Sequence, residues 1–112
     1  MTEIKQVSPE TLAQWLEEDK AIVIDVREAK EVSNESIPKA RNITAAQFSE
    51  QLSFFSSADK PIVFQCQSGK RSMMACNEMV KLDVLPEVWN LEGGILAWKA
   101  SNLPTNVGAA QG

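Results

Sequence analysis

The sequence predicts one α/β domain built on a mostly parallel β-sheet. Short apolar runs rich in β-branched residues alternate along the chain with segments whose apolar residues have helical spacing. The chain has 112 residues, of which 44% are hydrophobic, so one core can form without a disulfide framework or a structural metal. Two independent cores in this length would each be too small to be stable. We therefore expect a single compact unit.

The first half of the chain contains one clear helix and one clear buried strand. Ser8 has the character of a helix N-cap and Pro9 suits the first helical position, which predicts a helix that ends near Asp19. Residues 21–26 form a continuous apolar run, typical of a strand buried on both faces. Weaker signals follow for a short helix within residues 27–34, an edge strand within 40–43 and an amphipathic helix within 45–55.

The second half continues the alternation of strands and helices. Residues 61–66 are a second buried strand, a small polar loop follows, and residues 72–82 place apolar side chains at helical spacing. The remaining signals are a strand at 88–91, a tight turn at Gly93-Gly94 and a helix at 95–101.

Charge and terminal composition define the expected setting of the domain. Eleven Lys and Arg residues against fifteen Asp and Glu residues give a net charge of −4, which works against binding to nucleic acid or to an anionic membrane surface. The N-terminus lacks the apolar stretch of a signal peptide, and the uncharged apolar runs are too short to span a bilayer. We expect a cytoplasmic domain over residues 1–104, with residues 105–112 as a flexible tail or linker stub.

The count of histidine residues is zero, and this restricts the possible chemistry. Without imidazole there is no Ser-His-Asp triad, Cys-His dyad or His-ligated metal site, so a nucleophile needs another means of activation. The two cysteines, Cys66 and Cys76, are too few for a disulfide framework or a structural zinc site. We expect free thiols in a reducing environment and no metal or organic cofactor.

One segment between a buried strand and a helix combines the features that activate a thiol. It reads Cys66-Gln67-Ser68-Gly69-Lys70-Arg71-Ser72. Ligands bind at the carboxyl ends of the strands in parallel sheets, and Gly69 lets the backbone curl so that N–H groups at the helix start converge on one point. A helix N-terminus with nearby cations lowers the pKa of a Cys from about 8.5 to roughly 3.5–7.5. The segment therefore predicts Cys66 as a nucleophile.

The alternative interpretation of each cysteine is an inert thiol in the core, since free Cys is among the most buried residue types. Cys76 fits that alternative because it lies one turn into the next helix on its apolar face. The position of Cys66, at a strand end beside two cations, favours reactivity. Lys70 and Arg71 are interpreted as groups that attract an anionic substrate, rather than as ordinary solvated charges.

The other polar and aromatic candidates are interpreted as structural. Asp25 lies at a strand end, where a catalytic carboxylate is conceivable, but we expect it to join a structural polar cluster. In that cluster Arg27 and Glu31 would pair at i,i+4 helical spacing. The three tryptophans are expected in or near the core: Trp15, Trp89 and Trp98.

Three blocks of the sequence, in order and over nearly the whole chain, form one pattern. The first block is Ile24-Asp25-Val26-Arg27-Glu28, followed by Glu31 and Ile37-Pro38. The second is the segment from Cys66 to Ser72, and the third is Leu91-Glu92-Gly93-Gly94 with Trp98 and Leu103-Pro104. Together these blocks resemble the single-domain members of the rhodanese family of sulfurtransferases. The chain departs from the family pattern at three places: Glu35-Ser36 and Lys39 flank Ile37-Pro38, where the family usually has Gly-His and Gly, and Gln67 stands where relatives often have Arg.

The resemblance implies a three-layer α/β/α fold whose five-stranded parallel sheet has the order 1-5-4-2-3. It also implies that Cys66 takes sulfur from a small anionic donor such as thiosulfate, holds it as a persulfide and passes it to cyanide or a thiol, with a protein thiol among the candidates. The loop residues would bind the substrate through their amides and cations: Gln67, Ser68, Gly69, Lys70, Arg71 and Ser72. In some bacterial proteins such a domain is joined to a membrane segment, so a fused segment beyond this chain is an expectation as well.

Three alternatives remain beside an enzyme of this kind. The first is a persulfide carrier or redox-sensing module with little turnover, which would use the same thiolate. The second is a phosphatase or arsenate reductase, although the related loops of those enzymes have five residues between Cys and Arg, whereas four separate Cys66 from Arg71 here. The third, an inactive interaction domain, is disfavoured because Cys66 is present.

Overall fold

A computed structural model describes residues 1–108 as a parallel sheet with helices on both faces. The strands are β1 (Glu3–Val7), β2 (Ile22–Asp25), β3 (Glu35–Ser36), β4 (Arg41–Asn42), β5 (Ile62–Gln65), β6 (Glu87–Leu91) and β7 (Asn106–Val107). The helices are α1 (Pro9–Glu17), α2 (Ala29–Asn34), a 3₁₀ helix (Ala45–Gln51), α3 (Leu52–Ser56), α4 (Lys70–Leu82) and α5 (Gly94–Ala100).

The main sheet has five strands in the order β1-β6-β5-β2-β4, and each neighbouring pair is parallel. Counted among the strands of this sheet alone, the order is 1-5-4-2-3, so the three-layer α/β/α class is confirmed. Two features of the strands were not predicted. One is β1, an edge strand in which polar residues interrupt the apolar pattern. The other is a small second sheet formed by β3 and β7.

The alternation of side chains along β5 divides the core between the two faces of the sheet. Val63 packs with residues of α1 and α5, including Leu12 and Trp98. Phe64 points to the opposite face, where its ring lies with those of Phe48 and Phe55 at centroid distances of 5.4 and 6.0 Å. Trp98 is buried, and Trp15 and Trp89 are half-buried and pack edge to face, which confirms their interpretation as packing residues.

The helix boundaries follow local capping chemistry. The Ser8 hydroxyl oxygen accepts a hydrogen bond from the amide of Thr11 at 3.2 Å, which fixes the start of α1 as predicted. The single helix predicted within residues 45–55 is wrong, because this segment is a 3₁₀ helix followed by one turn of α-helix. Its apolar spacing still buries Phe48 and Phe55, which explains why the pattern indicated a helix.

A buried ion pair lies at the carboxyl end of β2. Arg27 donates to both carboxylate oxygens of Asp25, with Nη2 to Oδ2 at 2.8 Å and Nε to Oδ1 at 3.0 Å, and Nη2 also reaches the carbonyl oxygen of Glu35 at 2.7 Å. The predicted pair between Arg27 and Glu31 is wrong. Because α2 starts at Ala29, Arg27 precedes the helix, and i,i+4 spacing does not place it beside Glu31. The structural interpretation of Asp25 holds.

The start of the expected tail is attached to the domain. Thr105 donates a hydrogen bond to the Glu35 carboxylate at 2.6 Å, and β7 pairs antiparallel with β3. The amide of Gly108 donates to the carbonyl of Asn34 at 2.9 Å. Residues 109–112 of the expected tail lie outside the described residues.

Among the helices of residues 1–108, none has the length and apolar character needed to cross a bilayer.

Replacing Arg27 with Leu should lower the free energy of unfolding by about 3–5 kcal/mol, because the buried Asp25 carboxylate would lose its partner. Urea denaturation measures the change. The matched control is Lys81→Leu, which removes the exposed partner of Glu78 and should cost less than about 0.5 kcal/mol. Equally small effects of both substitutions would show that the buried pair does not support the fold.

Candidate functional site

The thiol of Cys66 lies at the carboxyl end of β5, where the chain turns into α4. Its residue is only 1% exposed, so the sulfur sits below the surface of the loop formed by residues 66–72. Gly69 has a φ of 101°, in the left-handed region, and forms the N-cap of α4. This turn folds the loop back over the end of the strand and brings the first amides of α4 toward the sulfur.

Hydrogen-bond donors of the loop surround the sulfur of Cys66. The amides of Gly69 and Ser72 lie 3.1 and 3.3 Å from Sγ, and the hydroxyl oxygen of Ser72 lies 3.4 Å from it. The amide of Ser68 also helps to lower the pKa of the thiol. The backbone donors within hydrogen-bond distance of Sγ are thus the amides of residues 69 and 72.

The carbonyl groups of Cys66 and Gln67 bind the start of α5. The amide of Ile95 donates to the Cys66 carbonyl at 2.9 Å, and the amide of Leu96 donates to the Gln67 carbonyl at 3.1 Å. The side-chain amide of Gln65 donates to the Cys66 carbonyl as well, at 2.9 Å. These bonds fix the orientation of the loop peptides.

Gly94 permits this contact between the loop and α5. A Cβ atom at Gly94 would lie 2.4 Å from the Gln67 carbonyl oxygen and 2.5 Å from that of Cys66, and the φ of 61° is itself left-handed. The sequence indicated only a tight turn at Gly93-Gly94. The structure shows that the absence of a side chain at Gly94 lets the backbone of α5 approach the loop.

A chain of hydrogen-bonded polar side chains positions the hydroxyl of Ser72 beside the sulfur. The single proton of the Ser72 hydroxyl is shared between two acceptors, Sγ of Cys66 and Oδ1 of Asn90, which lies 2.5 Å from Oγ. Nδ2 of Asn90 in turn donates to Oε1 of Gln6 at 3.0 Å. Sequence reasoning did not identify Asn90 or Gln6. A signal was available at Asn90, since it is a polar residue inside the otherwise apolar run of β6. Its burial and its contact with Ser72 place it directly behind the thiol.

The two cysteines differ in acidity. Burial raises the pKa of the Cys66 thiol, but hydrogen bonds from the Ser72 hydroxyl and from the amides of Ser72, Gly69 and Ser68 outweigh it, so the pKa lies below its ordinary value. Burial without such donors raises the pKa of Cys76 to about 12. Both thiols are free. Cys76 is the core residue that the sequence indicated.

The cations of the loop take different positions. Arg71 forms a bidentate ion pair with Glu31 of α2, with N–O distances of 2.8 and 2.9 Å. Within the part of the chain that the structure describes, Lys70 is exposed and makes no ion pair. Gln67 and Ser68 are exposed at the outer side of the loop. The role of Glu31 could not be identified from its local sequence, because the pair joins residues that are 40 positions apart.

Two open grooves flank the loop. One, of about 500 Å³, is bordered by Arg71 and Met74, and the other, of about 240 Å³, by Gln67 and Leu96. Met74 and Leu96 are large apolar side chains that are 68% and 50% exposed. Within residues 1–108, no three or more acidic and cysteine side chains gather in a way that could hold a metal ion.

Residues 8–101 match the family model of the rhodanese-like domain. The chain belongs to the rhodanese-like domain family. Its relatives include the putative sulfurtransferase YtwF of Bacillus subtilis, which is 36% identical over 93% of this chain and 99% of the relative. The thiosulfate sulfurtransferase GlpE of Pseudomonas savastanoi is 32% identical over 90% of this chain and 92% of its own length.

Solved structures of rhodanese-related proteins share the fold. A rhodanese-related protein from Thermoplasma volcanium has a TM-score of 0.77 and 27% identity, over 91% of this chain and 97% of the other. A thiosulfate sulfurtransferase from Pseudomonas aeruginosa has a TM-score of 0.80 and 29% identity, over 96% of this chain but 20% of the other. The family and the fold implied by the resemblance are confirmed.

In this rhodanese-like domain, Ser72→Ala should raise the pH midpoint for alkylation of Cys66 by iodoacetamide by about 1 pH unit, because one donor to the thiolate is lost. The wild-type midpoint should lie below the free-thiol value of about 8.5. Mass spectrometry after timed alkylation assigns the reaction to Cys66. Ser68→Ala is the control, since it removes an exposed hydroxyl and keeps the backbone amide. A wild-type midpoint at or above the free-thiol value would show that the loop does not activate the thiol.

Gly94→Ala should destabilise the domain by about 1–3 kcal/mol and raise the alkylation midpoint of Cys66, because the new Cβ overlaps the carbonyl oxygens that α5 holds. Urea denaturation and the alkylation profile measure the two effects. Gly69→Ala is the comparison, since it is also strained in φ but its Cβ would meet no atom closer than 3.4 Å. A smaller loss of stability in Gly94→Ala than in Gly69→Ala would contradict the role assigned to the overlap.

Proposed function

We propose that this domain is a sulfurtransferase that moves sulfane sulfur from a donor such as thiosulfate to cyanide or a thiol through a persulfide on Cys66. The supporting observation is the thiol itself. Its sulfur is surrounded by amide and hydroxyl donors that lower its pKa, at the strand end of a rhodanese-like fold. The sulfurtransferase names of two relatives support the same reaction class.

In the first step the Cys66 thiolate attacks the outer sulfur of thiosulfate. A bond forms between Sγ and that sulfur, the sulfur–sulfur bond of thiosulfate breaks, and sulfite leaves with the electron pair of that bond. The product is a Cys66 persulfide whose terminal sulfur carries the negative charge. The amides of Gly69 and Ser72 are the nearest donors for that charge, in the way that an oxyanion hole serves oxygen.

In the second step the acceptor attacks the terminal sulfur of the persulfide. Cyanide forms thiocyanate and a thiolate forms a new persulfide, while the electron pair of the breaking sulfur–sulfur bond returns to Cys66. The two half-reactions restore the starting thiolate, so ping-pong kinetics are expected and no cofactor is required. We propose a cytoplasmic location, because a reducing environment keeps Cys66 free for the next cycle.

The geometry argues against phosphate ester chemistry at the same loop. A departing alkoxide needs a proton from a general acid. Asp25 is the buried carboxylate at the end of β2. It binds Arg27 through both oxygens and is 0% exposed, so it is not placed to give that proton. Sulfite and thiolate, by contrast, leave as stable anions.

Cys66→Ser should abolish thiosulfate:cyanide sulfur transfer, whereas Cys76→Ser should keep most of it, because the loop donors reach only the sulfur of Cys66. Steady-state formation of thiocyanate measures the rate, and intact mass measures the addition of one sulfur atom to the protein after thiosulfate treatment. Substantial turnover by the Cys66→Ser protein would contradict the mechanism.

The same assay separates the alternatives. Stable addition of one sulfur atom without multiple turnovers would identify a persulfide carrier rather than an enzyme. Cys66-dependent hydrolysis of p-nitrophenyl phosphate that exceeds the sulfur-transfer rate would identify a phosphatase and would overturn the proposal.

A further inference from the structure

The ion pair between Arg71 and Glu31 is bidentate, so both Nη atoms of the guanidinium group already donate to a carboxylate. Nη1 of Arg71 lies 2.8 Å from Oε1 of Glu31, and Nη2 lies 2.9 Å from Oε2. This is the bidentate arrangement in which Arg also binds sulfonate and phosphate oxygens. Glu31 therefore occupies the pair of donors that an anionic substrate would use.

The pair also removes net charge from the loop that surrounds Cys66. The hydrogen bonds from Arg71 hold the pKa of Glu31 at about 2, so this carboxylate stays ionised at any working pH. The hydrogen bonds to Glu31 raise the pKa of Arg71, and the Cys66 thiolate adds a smaller electrostatic effect in the same direction. With Gln67 uncharged, the exposed Lys70 is the one loop cation outside an ion pair among residues 1–108.

We propose that Glu31 is a specificity-determining residue that competes with a dianionic donor for Arg71 and thereby favours sulfur donors of lower charge. The inference rests on the proposed function and defines its substrate class: monoanionic donors such as an alkyl thiosulfonate or a persulfide. A dianion such as thiosulfate must displace the Glu31 carboxylate or bind beside it, whereas a monoanion meets less repulsion at the neutral pair.

The monoanionic donor undergoes the same covalent change as thiosulfate. The Cys66 thiolate attacks the outer sulfur of a thiosulfonate, the sulfur–sulfur bond breaks, and a sulfinate leaves with the electron pair. The Cys66 persulfide remains. Thiosulfate and methanethiosulfonate therefore differ at this step chiefly by one charge on the donor.

Glu31 also has a structural contact, which the experiment must separate from its effect on Arg71. Oε1 of Glu31 accepts a hydrogen bond from the amide of Glu28 at 3.2 Å, within the capping box of α2. A Gln side chain keeps this acceptor while it removes the charge. Glu28→Gln is the matched control, because Glu28 borders the same groove as Arg71 but forms no ion pair with it among the described residues.

The first measurement is the ratio of kcat/KM for thiosulfate to kcat/KM for methanethiosulfonate. Glu31→Gln should raise this ratio roughly threefold to tenfold, and Glu28→Gln by less than about twofold. In the double variant Glu31→Gln, Arg71→Leu the gain should disappear, because the freed guanidinium group is gone. Two results would overturn the inference. One is an equal loss of kcat/KM for thiosulfate and for methanethiosulfonate in Glu31→Gln. The other is the same kcat/KM ratio in Glu31→Gln and Glu28→Gln.

The second measurement does not require sulfur transfer. Iodoacetate and iodoacetamide alkylate a thiolate by the same reaction but differ by one negative charge. The ratio of their rates at Cys66 should rise in Glu31→Gln by the same roughly threefold to tenfold factor, and not in Glu28→Gln. A rise in this ratio without any persulfide formation would support the inference on Glu31 and reject the proposed function. An unchanged ratio with normal turnover would reject only the inference.

Discussion

The orientation of two peptide groups after Cys66 is the constraint on which the site depends. The carbonyl and N–H of one peptide point in opposite directions. The Gln67 carbonyl is held outward by the amide of Leu96, so the N–H of the same peptide, which belongs to Ser68, faces the sulfur. This arrangement exists only because Gly94 has no side chain between α5 and the loop. The acidity of the thiol therefore depends on a helix, α5, that within residues 1–108 donates no hydrogen bond to the sulfur.

The two arginines near the carboxyl ends of the strands, Arg27 and Arg71, have different surroundings. Arg27 is buried against Asp25 and joins the end of β2 to the carbonyl of Glu35, so its charge serves the fold. Arg71 lies half-exposed on the loop that follows Cys66 and pairs with Glu31, so its charge stands beside the candidate site. The short helix α2 starts after Arg27 and presents Glu31 to the loop, so it supplies the carboxylate that pairs with Arg71.

Local pattern was sufficient to predict the central strands and the place of Cys66 between a buried strand and a helix. Continuous apolar runs indicated β2 and β5, and the sequence after Cys66 already contained the Gly and the helix start that curl the loop. Features that depend on distant partners were not predictable in this way. The pairing of Glu31 with Arg71 spans 40 positions. The strand β1 has polar residues because it lies at the sheet edge.

The one wrong pairing shows where local reasoning stops. The i,i+4 rule placed Arg27 beside Glu31, but it applies only within a helix, and Arg27 lies before the first residue of α2. Asn90 was overlooked for a related reason. Its polar side chain was visible in the sequence of β6, but its partners, Ser72 and Gln6, come from α4 and β1. Both cases required knowledge of which strand ends meet at the same edge of the sheet.

Burial alone does not set the acidity of a thiol, and fixed hydrogen-bond donors can lower a thiol pKa in a chain without histidine. Cys66 and Cys76 are 1% and 0% exposed, yet the pKa is lowered at Cys66 and raised to about 12 at Cys76. The difference is the set of fixed donors around Sγ of Cys66, which favour the thiolate form without a neighbouring base. In sulfur transfer the groups that depart, sulfite and the Cys66 thiolate itself, leave as anions, so no acid is needed either. A chain with no histidine is therefore chemically sufficient for this reaction class.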